Sequence, residues 1–127
     1  MKKMIDMARL YQSRAYAPYS NFQVGAVVLA DDQKVYGGCN IENASFGGTI
    51  CAERVAITKA ISEGAHKIRE IVIVGGDDYT YPCGICRQFM AEFADQLKIH
   101  IIGSDDNVRT YEMHDLLPHA FTGEEIS

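Results

Sequence analysis

The sequence contains no tryptophan, only three prolines and four cysteines, and no apolar run near the ~18 residues a membrane span requires. Four cysteines in 127 residues are too few for a disulfide scaffold, and the chain is long enough to bury a core without one. It also lacks a basic excess: the net charge is −5, and no cationic stripe interrupts the acidic balance. Nucleic-acid surfaces are built on such stripes, because phosphate neutralisation supplies much of their affinity. Lys2, Lys3, Arg9 and Arg14 are spread along one amphipathic segment and are expected to form a solvated helix face. A small, neutral or modestly charged partner therefore suits the chain better than nucleic acid or a membrane. The N-terminus has a basic tip but neither a long apolar stretch nor a small-residue cleavage site, so no signal peptide is expected and the location reads as cytoplasmic. In that compartment cysteines act more often as ligands or catalysts than as disulfide partners.

One domain spanning 1–127 is expected, without internal repeat or linker. Residues 2–15 carry apolar positions at helical spacing, and "APYSNF" ends that pattern with Pro18, Ser20 and Asn21. "FQVGAVVLA" reads as a strand, turned by "DDQK" into a second strand "VYGGCN", after which "NIENASFGG" reads as a loop. Helical spacing returns from Thr49, the expected N-cap, to about Glu63, with Gly64 as the stop. "IREIVIVGG" is a β-branched run of the buried-strand type, and residues 84–94 fit a helix with Phe89, Met90 and Phe93 on its apolar side. "KIHIIGS" and the weaker "VRTYEM" read as strands, and "MHDLLP" as a short closing helix. This order predicts an α/β fold, a mixed five-stranded sheet packed with helices.

Cysteine is placed with unusual economy. Cys51 in "TICAERVAI" and Cys83 and Cys86 in "YPCGICRQ" all fall at helix starts, where unpaired N–H groups and the helix dipole favour the thiolate. Thiolate is the form that binds zinc, and sulfurs at i and i+3 can converge on one ion, with Gly84 leaving room for the tight turn. A third sulfur from the other helix leaves one of four tetrahedral positions open, the pattern of a catalytic site. Glu53 could face a water in that position without binding the metal, as a general base should. Cys39 reads as a small buried hydrophobe, and His66, His100, His114 and His119 show no ligand spacing. Two other readings stay open: "CGIC" as a thiol redox pair, which leaves Cys51 and Glu53 unexplained, and a closed structural zinc site, which needs a fourth ligand.

First ligand, any residue, Glu, followed later by Pro-Cys-x-x-Cys, is the signature of zinc nucleobase deaminases. Through "APYSNFQVGA", "NIENASFGGTICAER", "PCGICRQ" and "LLPHAF" the chain resembles the small homotetrameric cytidine deaminases along nearly its whole length. That resemblance implies a three-layer fold and one Zn²⁺ per chain on Cys51, Cys83 and Cys86, with Glu53 moving protons. It further implies Phe22 against the pyrimidine ring, Asn40 and Glu42 at the ribose hydroxyls, and the Ala52 backbone reading the base. Arg54 would hydrogen-bond the cysteine sulfurs, and Phe121 would cover the ring of a neighbouring subunit's site. The reaction implied is hydrolytic deamination of cytidine and 2′-deoxycytidine in pyrimidine salvage, by a homotetramer with shared sites. Another cytosine nucleoside, such as the antibiotic blasticidin S, is the rival substrate. Without the resemblance, Phe22 reads as core, Asn40 and Glu42 as loop residues, and Phe121 as a C-terminal anchor. Two positions depart from the family: Phe46 stands where relatives often have Tyr, and His119 where Gly is common.

Overall fold

The structure, a computed structural model, describes residues 1–126. Its elements follow the order α1 (Lys2–Ser13), β1 (Val24–Ala30), β2 (Val35–Cys39), α2 (Ala52–Ser62), β3 (Ile68–Gly75), α3 (Gly84–Phe93), β4 (Ala94–Ile102), β5 (Val108–Glu112) and α4 (Met113–Leu116). Five strands form one mixed sheet in the order β2-β1-β3-β4-β5. Only β3 and β4 run parallel, joined by α3 as the crossover, and the other neighbours are antiparallel. That is the expected mixed sheet, because a parallel pair needs a long crossover whereas the hairpins do not.

Alternation along the strands builds a core on each face. Ile71 and Ile73 of β3 join Ile99 and Ile101 of β4 in a cluster with Ala56, Ile57 and Ala60 of α2 and Met90 of α3. Val72, Val74 and Ile102 face the other way and bury Ile5 and Ala8 of α1. The result is three layers, with α1 on one side and α2 and α3 on the other. Two glycines let helices sit directly on the β1–β2 hairpin. A Cβ at Gly25 would lie 2.0 Å from the Ala8 carbonyl oxygen, and one at Gly38 would lie 2.6 Å from the Ala56 amide nitrogen. Any side chain at Gly38 would push α2 off the sheet.

Several boundaries differ from the sequence reading. The helix at the N-terminus ends at Ser13 with Arg14 as its C-cap, and β1 starts at Val24 rather than Phe22. Cys51, not Thr49, is the N-cap of α2. The reason is Ile50, which exchanges both backbone hydrogen bonds with Ile41 (2.9 Å each) and is therefore held extended. Gly64 does follow the helix, at φ +110. Strand β4 begins at Ala94, four residues before Lys98, as soon as α3 ends. Arg9 is not simply part of a solvated face: it pairs with Asp106 at 3.0 Å, tying α1 to the turn before β5. Cys39 is half-buried rather than buried.

Candidate active site

Helix α3 begins beyond the carboxyl end of β3, and α2 begins where the Ile41–Ile50 bridge releases the chain. Both helices are N-capped by cysteine, Cys51 and Cys83, with extended cap backbone. Their starts meet: the Cys51 and Cys83 sulfurs are 3.8 Å apart, and those of Cys83 and Cys86 are 3.5 Å apart. A tetrahedral zinc with bonds of about 2.3 Å requires sulfurs roughly 3.8 Å apart, so the three fit such an ion. All three lie within 4.8 Å of one another, and among the described residues no further Cys, His, Asp or Glu joins them. Cys39 is not in the cluster, which removes the fourth ligand that a closed structural site would need. Cys86 is buried and Cys83 exposed, so solvent reaches the cluster at Cys83.

The charges around the sulfurs are uneven. Hydrogen bonding with Cys86, then with Arg54, draws the Cys51 thiol down to about 5 against the cost of its burial. The same bond with Cys51, together with burial, drives the Cys86 thiol upward. Arg54 donates from Nη2 to the Thr49 carbonyl at 3.2 Å and towards the Cys51 sulfur at 3.8 Å, as expected of a residue serving the cluster. Its Nε donor is buried without a partner, so the guanidinium retains capacity for the negative charge of three thiolates. Glu53 is buried in the first turn of α2, 5% exposed. Burial pushes its carboxyl up to about 7, aided by the Cys51 charge beside it. A carboxyl with that affinity can both take and return a proton near neutral pH.

Phe22, Asn40 and Glu42 form a second group, tied to the first through the Ile41–Ile50 bridge. Asn40 flanks the bridge and is nearly buried. Its Oδ1 accepts from the Val24 amide at 2.8 Å, and its Nδ2 donates to the Phe22 carbonyl at 2.9 Å, fixing the backbone around Phe22. Glu42 accepts from the Tyr19 and Ser20 amides at 2.9 and 3.1 Å, and from the Ser20 hydroxyl. The Ser20 bond holds its carboxyl below the usual glutamate range. Asn40 and Glu42 thus organise the chain from Tyr19 to Val24. Phe22 is partly exposed, its ring against Gly76, so it is not core. A cleft of about 300 Å³ lies between Tyr19, Ser20, Glu42, Asn43, Phe46 and Thr49. Phe46, 78% exposed, meets Tyr19 edge to face with ring centroids 6.3 Å apart. Ala52 is fully buried at the start of α2.

Phe121 is not brought to these residues within the chain. Its side chain is 57% exposed, and its carbonyl accepts from Gln88 Nε2 at 2.7 Å. His119 takes φ +55, a region glycine adopts without cost, so the glycine-favouring path is kept with a side chain in place. Gly84 has a different meaning from the one expected: a Cβ there would meet nothing within 4 Å, so room for the turn is not what requires it. A second cluster of possible ligands, Glu112, His114 and Asp115, is exposed, and Glu112 and Asp115 form the capping box of α4. Sequence reasoning missed Ser20 and the Tyr19 amide as the partners of Glu42, and gave no role to Arg87 and Gln88, although both follow Cys86 directly.

Residues 1–101 match the family model described as the cytidine and deoxycytidylate deaminase zinc-binding region. The chain belongs to the cytidine deaminase family. A probable cytidine deaminase from Dictyostelium discoideum is 41% identical, over 99% of this chain and 86% of that protein. The cytidine deaminase of Halalkalibacterium halodurans is 44% identical over 89% and 87%. In three dimensions the chain is similar to the crystal structure of cytidine deaminase from Burkholderia pseudomallei, with a TM-score of 0.88 and 41% identity over 94% and 98% of the two chains. The three-layer sheet is therefore the cytidine deaminase fold, and the sulfur cluster sits inside the matched zinc-binding region. Membership makes the chain a zinc-binding deaminase and removes the thiol redox reading of "CGIC". No helix among the described residues is long and apolar enough to cross a membrane.

Proposed function

We propose that the protein converts cytidine and 2′-deoxycytidine to uridine and 2′-deoxyuridine with release of ammonia, a reaction of pyrimidine salvage, as a homotetramer with shared sites in the cytoplasm. One observation carries this reading: three sulfurs from two helix starts meet at zinc-binding separations, and one of them, Cys51, lies two residues before the buried carboxyl of Glu53 on α2.

Cys51, Cys83 and Cys86 would hold one Zn²⁺ per chain, and the ion would supply the Lewis acidity that makes a water acidic near neutral pH. Glu53 takes a proton from the water that adds at C4 of cytosine and delivers it to N3. It then carries the second proton of that water to the amine, the C4–N bond breaks, and ammonia leaves. N3 keeps its proton and C4 keeps the oxygen, which is uridine. Both transfers use one carboxyl whose affinity lies near neutral, so a single Glu suffices. Arg54 and the N-termini of α2 and α3 offset the negative charge of the thiolates.

Phe22 packs against the pyrimidine ring, and the Ala52 backbone reads the base. Asn40 and Glu42 bind the ribose hydroxyls with the capacity left after their loop contacts. A pocket built to hydrogen-bond the sugar rejects the free base, because buried polar groups would be left unpaired. The Glu42 carboxylate disfavours phosphates, which speaks against nucleotides and polynucleotides. Phe121 covers the ring in a neighbouring subunit. The test is the fall in cytidine absorbance on adding protein, with zinc counted per chain. Blasticidin S in parallel decides between the two substrate classes, and a protein inert towards both would remove the deaminase reading.

A further inference from the structure

Two side chains on α3 join parts of the molecule that the proposed chemistry treats separately. Arg87, directly after the ligand Cys86, is half-buried and points its guanidinium fork at two carbonyls. Its Nε donates to Pro82 at 2.8 Å, and its Nη1 donates to Leu116 at 2.9 Å. Pro82 is the residue before the ligand Cys83, and Leu116 is the last residue of α4, whose carbonyl has no partner inside that helix. One turn of α3 thus grips the entry to the metal turn and the exit of α4 with one rigid group. Gln88, the next residue, repeats the grip at the Phe121 carbonyl, 2.7 Å away. The platform itself is fixed, because Cys86 and Met90 of α3 are fully buried in the core.

We propose that Arg87 and Gln88 are positioning residues, a strut that sets the Phe121 segment against the Cys83–Cys86 turn. The inference rests on the deaminase reading for the role of Phe121. In a shared site it has a consequence: the ring lent to one site is held by the metal turn of another. An arginine is required because its planar fork reaches two carbonyls at a fixed angle, whereas a lysine offers a single mobile ammonium. Neither residue need touch substrate.

The test is a double-mutant cycle on the zinc-loaded enzyme with cytidine. Gln88→Leu removes one hydrogen bond from a half-buried side chain and should raise KM about fivefold to twentyfold, with kcat changed far less. In a Phe121→Ala background it should raise KM no further, because residues that act through one another are not additive. Equal KM increases in both backgrounds would overturn the strut. Two further readouts need no turnover. Arg87→Met should speed zinc transfer to the chelator 4-(2-pyridylazo)resorcinol about fivefold or more, Arg87→Lys less so, since groups behind metal ligands typically alter affinity by 10 to 100 times. Both Arg87→Met and Gln88→Leu should also hasten thermolysin cleavage within 117–122. Faster zinc loss and cleavage in a protein that leaves cytidine unchanged would keep the strut and remove the deaminase reading. An active enzyme with neither change removes the strut. Gln88→Leu keeps the test open should Arg87→Met fail to fold.

Discussion

Glu53 combines burial with a position beside a thiolate, and burial is what raises its proton affinity to near neutral. Glu53→Gln keeps the shape and removes the proton carrier, so turnover should fall by at least about 10²–10⁴ with zinc content unchanged. Metal analysis alongside steady-state rates checks this, and near-normal turnover would assign the transfers to another group. Glu42 illustrates the opposite shift. Its carboxylate is favoured by the Ser20 hydroxyl and two amides, so its pKa lies below the 4.5 of an ordinary glutamate. A depressed carboxyl contributes stability that is complete above the unfolded value and is lost as pH falls through the folded one. The Tyr19 and Ser20 amide resonances should therefore titrate together below pH 4.5, and Glu42→Gln should abolish the step. A midpoint above 4.5 would contradict the Ser20 bond to this carboxylate.

At the scale of elements, the metal cluster depends on where two helices begin. Cys51 caps α2 because the Ile41–Ile50 bridge keeps the chain extended until that residue, and α2 then seats on Gly38. In Gly38→Ala the new Cβ would meet the backbone at Ala56 and Ala52, which cannot swing aside. We expect a loss of about 1–3 kcal/mol in stability from this overpacking, with weaker zinc binding because Cys51 moves with its helix. Thermal unfolding and chelator competition measure the two effects. Unchanged zinc affinity in a destabilised variant would show that the cysteine turn is held independently of the α2 seat. Cys83→Ala, by contrast, should leave the sheet intact and lose the metal.

For the whole molecule, the exposed aromatic side chains are the informative feature. Phe121 and Phe46 are large, apolar and 57% and 78% exposed, Phe46 despite its edge contact with Tyr19. Closure by symmetric copies is the economical answer for a pocket that must exclude water. Sedimentation should find a tetramer. Phe121→Ala should still assemble but bind cytidine about 1–3 kcal/mol more weakly, the packing of one aromatic ring. A fully active monomer would refute site sharing while leaving the zinc chemistry intact.

Local chemistry and periodicity determined much of this protein in advance. Alternating and helical apolar spacing delivered the order of elements and the mixed sheet, since backbone hydrogen bonding permits only those two periods. The thiols and carboxyl were legible for a similar reason: zinc accepts few donor types, and helix starts recur at short, readable spacings. What needed the tertiary structure were facts set by partners distant along the chain. The N-cap of α2 passed from Thr49 to Cys51 because Ile41, nine residues before Ile50, claims Ile50 for a bridge. Glu42 turned out to hold Ser20, 22 residues away, and Arg87 reaches 29 residues forward to Leu116. No periodicity encodes such pairings. They exist only once the sheet has brought the segments together, because a hydrogen bond depends on a distance of about 3 Å and not on separation along the sequence.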